Sequence, residues 1–159
     1  MQVKRYFHGM LGRLYENQDC SAAWTLELVG ERWSLLILRD AMFAGCTRFS
    51  QFQKSLGIAT NVLAKRLEGF VAAGLMERRQ PAGEQAEYRL TQRGLDLKPV
   101  IIALTEWGDR WLQPGPIRFR DASNGQPVGL QLRRAGDDAQ VAVADVVAQP
   151  REDIRERKR

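Results

Sequence analysis

The sequence predicts an α+β fold: four helices, one β-hairpin, a longer helix, and a small β-rich appendage at the C-terminal end. Three observations carry this. Apolar residues recur at helical spacing through residues 21–73, alternation interrupts it around residues 75–90, and helical spacing returns from Thr91 to Leu112.

The first helix is SAAWTLELV (21–29), stopped by Gly30. Glu31 and Arg32 open ERWSLLILRDAMF, whose apolar band is too wide for a one-sided surface helix, so this helix is central and mostly buried. Gly45 ends it. FSQFQKSL then carries Phe49, Phe52 and Leu56 at helical spacing, with Ser50 as a cap candidate. Gly57 turns the chain into a fourth helix, with Leu63, Leu67, Phe70 and Val71 on one face and Thr60, Asn61, Ala64, Lys65 and Glu68 on the other.

A short helix, a tight glycine turn and a second helix whose N-terminal outer face carries Thr, Asn and Lys form a helix-turn-helix pattern. Small and amide-bearing side chains approach base edges there, and cations meet phosphates. The competing reading is a solvated face on a core helix. LMERRQ and AEYRL, joined across PAGEQ, then read as a hairpin bearing Arg78 and Arg79. A hairpin directly after such a helix is a wing that reaches the DNA backbone or minor groove.

Thr91 caps the next helix, and Pro99 predicts a break near residues 96–99. Beyond it, Ile101, Leu104, Gly108, Trp111 and Leu112 share one face while Val100, Ala103 and Trp107 share another. That is more apolar surface than one core hides, so a second subunit is expected against this helix. IRFR, PVGLQL and QVAVADVV follow as short strands too few to fold alone. The expected organisation is an arm (1–18), a winged helix-turn-helix with its dimerisation helix (19–112), a β-rich extension (113–150) and a charged tail (151–159).

Composition excludes several function classes. Cys20, Cys46 and the single His8 are too few for a common structural zinc site, and no histidine stands ready to serve a nucleophile within the domain. There is no phosphate-binding glycine loop and no GxSxG. Neither an enzyme nor a bound cofactor is expected. No apolar run approaches the roughly 18 residues of a membrane span and the N-terminus lacks a signal peptide, so the reading is cytoplasmic. Of the net charge of +5, residues 48–93 hold most, with eight basic and four acidic residues, which points to a polyanionic partner.

Taken in order, Cys20, LELVGERWSLLILRDAMFAG, TRFSQFQKSLGIATNVLAKRL, AAGLMERR, EYRLTQRG, DLKPV and TEWGDRW resemble the HxlR-type regulators, relatives of the MarR winged helices, over residues 15–112. The resemblance implies a homodimeric transcription factor on a palindromic double-stranded operator, acting as repressor or activator. It assigns residues 60–73 as recognition helix, with Thr60, Asn61 and Lys65 toward the groove and Arg66 toward the backbone. Arg48 and Ser50 would approach phosphates, and Arg78, Arg79 and Gln85 would be wing contacts. The arm, the first helix and the long helix with Leu104, Trp107 and Trp111 would form the dimer interface.

Cys20 matches a cysteine that senses quinones, aldehydes or oxidants in several members, although Asp19 beside it opposes a thiolate. Cys46 has no counterpart and reads as a buried spacer. Ala59 stands where relatives often cap with Ser, which leaves Thr60 as an alternative cap. Two further readings stay open: a small-molecule sensor with Trp24, Trp107 and Trp111 lining an effector cavity, and a winged-helix adaptor that binds protein instead of DNA.

Overall fold

The computed structural model describes residues 20–149 together with Tyr15 and Gln18. The rest of the expected arm, with His8, and Asp19 and the charged tail lie outside the described residues. The elements are α1 (Ser21–Val29), α2 (Ser34–Phe43), α3 (Phe49–Leu56), α4 (Thr60–Ala72), β1 (Met76–Arg79), β2 (Glu87–Leu90), α5 (Gln92–Leu95) and α6 (Lys98–Trp111).

The core forms where the apolar stripes of α2, α3 and α4 meet. Ile37, Leu38, Phe52, Leu63, Leu67 and Phe70 have no accessible surface, and each such burial contributes roughly 1.5–3 kcal/mol. As expected, α2 is central, packed against α1, α3, α6 and β2. Its buried Asp40 joins it to α3: one carboxylate oxygen accepts from Arg39 Nε at 2.8 Å, the other from Ser55 Oγ at 2.7 Å. By contrast α1 buries only Ala23 and Val29, leaving Trp24 and Leu26 exposed.

Two glycines set the joints. Gly57 takes φ +61° between α3 and α4, a left-handed turn that costs most other residues about 1–2 kcal/mol. Gly94 lets α5 lie against the strand entry, because a Cβ there would stand 2.2 Å from the Leu75 carbonyl oxygen. Thr91 caps α5 as expected, accepting from Gly94 N–H at 3.2 Å while its hydroxyl donates to the Gly74 carbonyl at 2.6 Å. The expected break also appears: α5 ends at Leu95 and α6 begins at Lys98, with Pro99 in the first turn, where a missing N–H leaves no intrahelical bond unmade.

The hairpin is antiparallel, pairing Met76 with Leu90 and Arg79 with Glu87. A third segment joins its edge, since Tyr88 N–H donates to the Thr47 carbonyl at 2.7 Å and Arg48 bridges Glu87. The wing is thereby tied to the entry of α3.

The extension departs from expectation. In place of strands, residues 113–149 form two arches, each closed by one isolated bridge (Arg120 with Pro127, Arg133 with Gln140), and a 3-10 turn at Val143–Asp145. The arches attach to the domain through the Phe43–Phe119 ring pair at 4.9 Å and through Glu106 Oε1, which accepts from Leu130 N–H at 3.1 Å.

Candidate nucleic-acid interface

The geometry of α4 follows from its stripes. With Leu63, Leu67 and Phe70 inward, the 100° step per residue turns Asn61 and Lys65 outward together, and both are exposed. Thr60 is exposed as well, but its Oγ1 accepts from Gln53 Nε2 at 2.7 Å, tying the start of α4 to α3. It does not cap the helix. The N-cap is Ala59, without a side-chain bond, so the start of α4 leaves its backbone N–H groups open.

Ser50 is not a cap either. It lies exposed in the first turn of α3, whose N-cap is Arg48. Gln51 Oε1 takes the capping role by accepting from Thr47 N–H and Arg48 N–H, each at 2.9 Å. The signal was present in sequence as a Gln three residues after the cap position.

Arg66 corrects a second expectation. Its side chain turns inward, 9% exposed, and its Nη2 pairs with Glu31 Oε2 at 2.8 Å, so it is not presented to a phosphate. One residue beyond outward-facing Lys65, the helical step carries it to the protein side. Nothing local in the sequence announced Glu31 as the partner.

The wing's cations are mostly neutralised within the hairpin. Arg79 pairs with Glu77, Arg89 with Glu87 at 2.8 Å, and Arg48 with Glu87 and Glu84 at 3.6 and 4.0 Å. The hydrogen bond from Arg89 holds the Glu87 carboxyl below the ordinary Glu range; the Arg48 charge adds to this and partial desolvation opposes it. Arg78 donates to Gln80 Oε1 at 3.0 Å, and Gln85 is exposed at the tip. Lys54, unremarked from sequence, is exposed in the last turn of α3, and with Lys65 it is an exposed cation in no ion pair among the described residues. The basic excess of this segment therefore projects from the helices more than from the wing.

Away from this face, α6 buries Ile101 and Ile102 and exposes Leu104, Trp107 and Trp111, the last at 67%. Trp111 lines a shallow hollow with Thr105, Gly108, Asp109, Leu112 and Gln113, and Trp24 and Trp107 are not among its lining residues. Cys20 is exposed at the N-cap of α1, its Sγ accepting from Ala23 N–H at 3.4 Å. Cys46 is buried, and that burial, with the Asp40 charge adding, pushes its thiol up.

A helix pair joined at a left-handed glycine, an outward polar start to its second helix and an adjoining hairpin define a winged helix-turn-helix protein. Residues 28–116 match the family described as HxlR-like helix-turn-helix. The chain belongs to that family of transcriptional regulators, which are not enzymes. It is 37% identical over 145 residues to Rv3095, an uncharacterized HTH-type transcriptional regulator of Mycobacterium tuberculosis, covering 88% of this chain and 90% of the relative. The crystal structure of a candidate transcription factor, PA1607, superposes with TM-score 0.73 at 41% identity, covering 82% of this chain and 94% of that one. The reduced form of the redox regulator HypR matches at 27% identity and TM-score 0.51, over 57% of this chain and 91% of HypR. The first two matches necessarily continue past α6 into the extension. No described helix is long and apolar enough to cross a membrane.

Proposed function

We propose that the protein is a homodimeric, sequence-specific DNA-binding regulator in which α4 enters the major groove and the wing lies on the backbone or minor groove. The observation that carries this is the two-sidedness of α4: Leu63, Leu67 and Phe70 are fully buried, and Asn61 and Lys65 are exposed. Thr60, Asn61 and Lys65 are the proposed groove contacts. Arg48, Ser50, Arg78, Arg79 and Gln85 are the proposed backbone contacts. The exposed ridge of Leu104, Trp107 and Trp111 on α6 supports a two-fold partner, matching operators whose half-sites lie about one helical turn apart.

The test is binding of the full chain to duplexes tiled across the region upstream of its own gene, at several salt concentrations. One fragment is expected to bind with a steep salt dependence and to outcompete random DNA. Uniform weak affinity for every fragment would overturn the reading, and a protein partner copurifying in its place would favour the adaptor.

Operator release by an electrophile or oxidant at Cys20 is the proposed effector response. It is favoured by the exposed thiol at the N-cap of α1, whereas Cys46 is buried.

A further inference from the structure

The middle of the extension, Val128–Arg134, leaves backbone pairing capacity unused. Its ends are held: Val128 N–H donates to the Phe119 carbonyl at 3.0 Å, and Arg134 N–H to the Ala139 carbonyl at 2.8 Å. Between them Leu130 N–H goes to Glu106, whereas the N–H groups of Gly129, Gln131 and Arg133 have no partner among the described residues. Alternate residues of an extended chain direct their N–H and C=O groups to one edge, so these three make an open strand edge. On the same stretch Val128, Leu130 and Leu132 alternate and remain 42%, 41% and 47% exposed.

We propose that a second copy of this chain pairs here, antiparallel and two-fold about Gln131, so that the two extensions complete one sheet. This rests on the homodimer reading and assigns residues 113–149 a part in it.

Several features favour a second copy as the occupant. Residues 113–149 carry four basic and four acidic residues, so like meets like without net repulsion. With Gln131 on the two-fold, Arg133 of one copy faces Gly129 of the other and no like charges are opposed. That register offers about six backbone hydrogen bonds, and Pro127, lacking an N–H, closes the edge on one side. The bond from Leu130 to Glu106 anchors the opposite edge of the stretch to α6 and leaves the edge of Gly129, Gln131 and Arg133 turned away from it, open to a second chain. A closed two-fold also removes an apolar edge that would otherwise template aggregation.

The experiment uses the full chain above and below its dimer dissociation constant, with sedimentation reporting the state. Amide exchange at Gly129, Gln131 and Arg133 is expected to slow about tenfold or more in the dimer. In a Cys20→Ser background, Gln131→Cys is expected to be captured as a covalent dimer by a short bismaleimide, far ahead of Ser123→Cys at the arch tip. A dimer whose 128–134 amides exchange equally at all concentrations, with both cysteine variants captured alike, would overturn the pairing and leave the homodimer standing. A chain monomeric at every concentration removes both.

Discussion

Arg66 Nη2 and Glu31 Oε2 meet at 2.8 Å between α4 and the turn that joins α1 to α2. The pair agrees with the rotation that the buried stripe of Leu63, Leu67 and Phe70 sets, since an inward Arg66 goes with an outward Asn61 and Lys65. Arg66 Nε has no acceptor among the described residues, and Glu31 keeps a third of its side chain in water, so the pair is worth less than a fully satisfied buried one. Arg66→Ala is expected to lower unfolding free energy by about 2 kcal/mol, read by urea denaturation. A folded Arg66→Met is expected to keep the salt slope of DNA binding; a slope reduced by one unit would mean that Arg66 touches a phosphate after all.

Lys65→Ala should show the opposite pattern. Its side chain is exposed and in no ion pair among the described residues, so stability stays within about 0.5 kcal/mol while the log–log salt slope of operator binding falls by about one. Fluorescence anisotropy across a salt series measures it.

Glu87 supplies a pH dependence. Its carboxyl is lowered in the fold, first by Arg89, so the stability it contributes is present above the ordinary Glu pKa and is lost as pH falls through the lowered folded value. Glu87→Gln should therefore lower stability at neutral pH, leave it unchanged once the native carboxyl is protonated, and so flatten the acid limb of the stability profile. Carboxyl chemical shifts followed by NMR would show the titration directly, and a Glu87 midpoint at the ordinary value would contradict the ion-pair geometry.

Gly94→Ala is expected to be among the most damaging single-methyl additions in the chain, by about 3 kcal/mol or more, since backbone and not a flexible side chain stands 2.2 Å from the new Cβ. Gly108→Ala, with open space around its Cβ, is the control in thermal melts of the full chain.

The two thiols should separate cleanly. N-ethylmaleimide on the native protein is expected to label exposed Cys20 and spare buried Cys46, as peptide mass spectrometry would report. Cys20→Ser keeps an N-cap acceptor, so the fold should hold while any electrophile-triggered release of DNA disappears.

The sequence by itself determined α1 to α4, the hairpin, the Thr91 cap and the break before Pro99. These rest on local terms: side-chain period, glycine stops, and the missing N–H of proline, all acting within a few residues. Only the tertiary structure decided that Arg66 turns to Glu31, that the arginines at 79 and 89 are spent on carboxylates of their own hairpin, and that the extension makes single bridges instead of strands. Each of these depends on which groups stand within bonding distance once the chain has folded. Whether a cation is free or paired, and whether a strand has a neighbour, is a property of juxtaposition, and periodicity along a chain does not encode it.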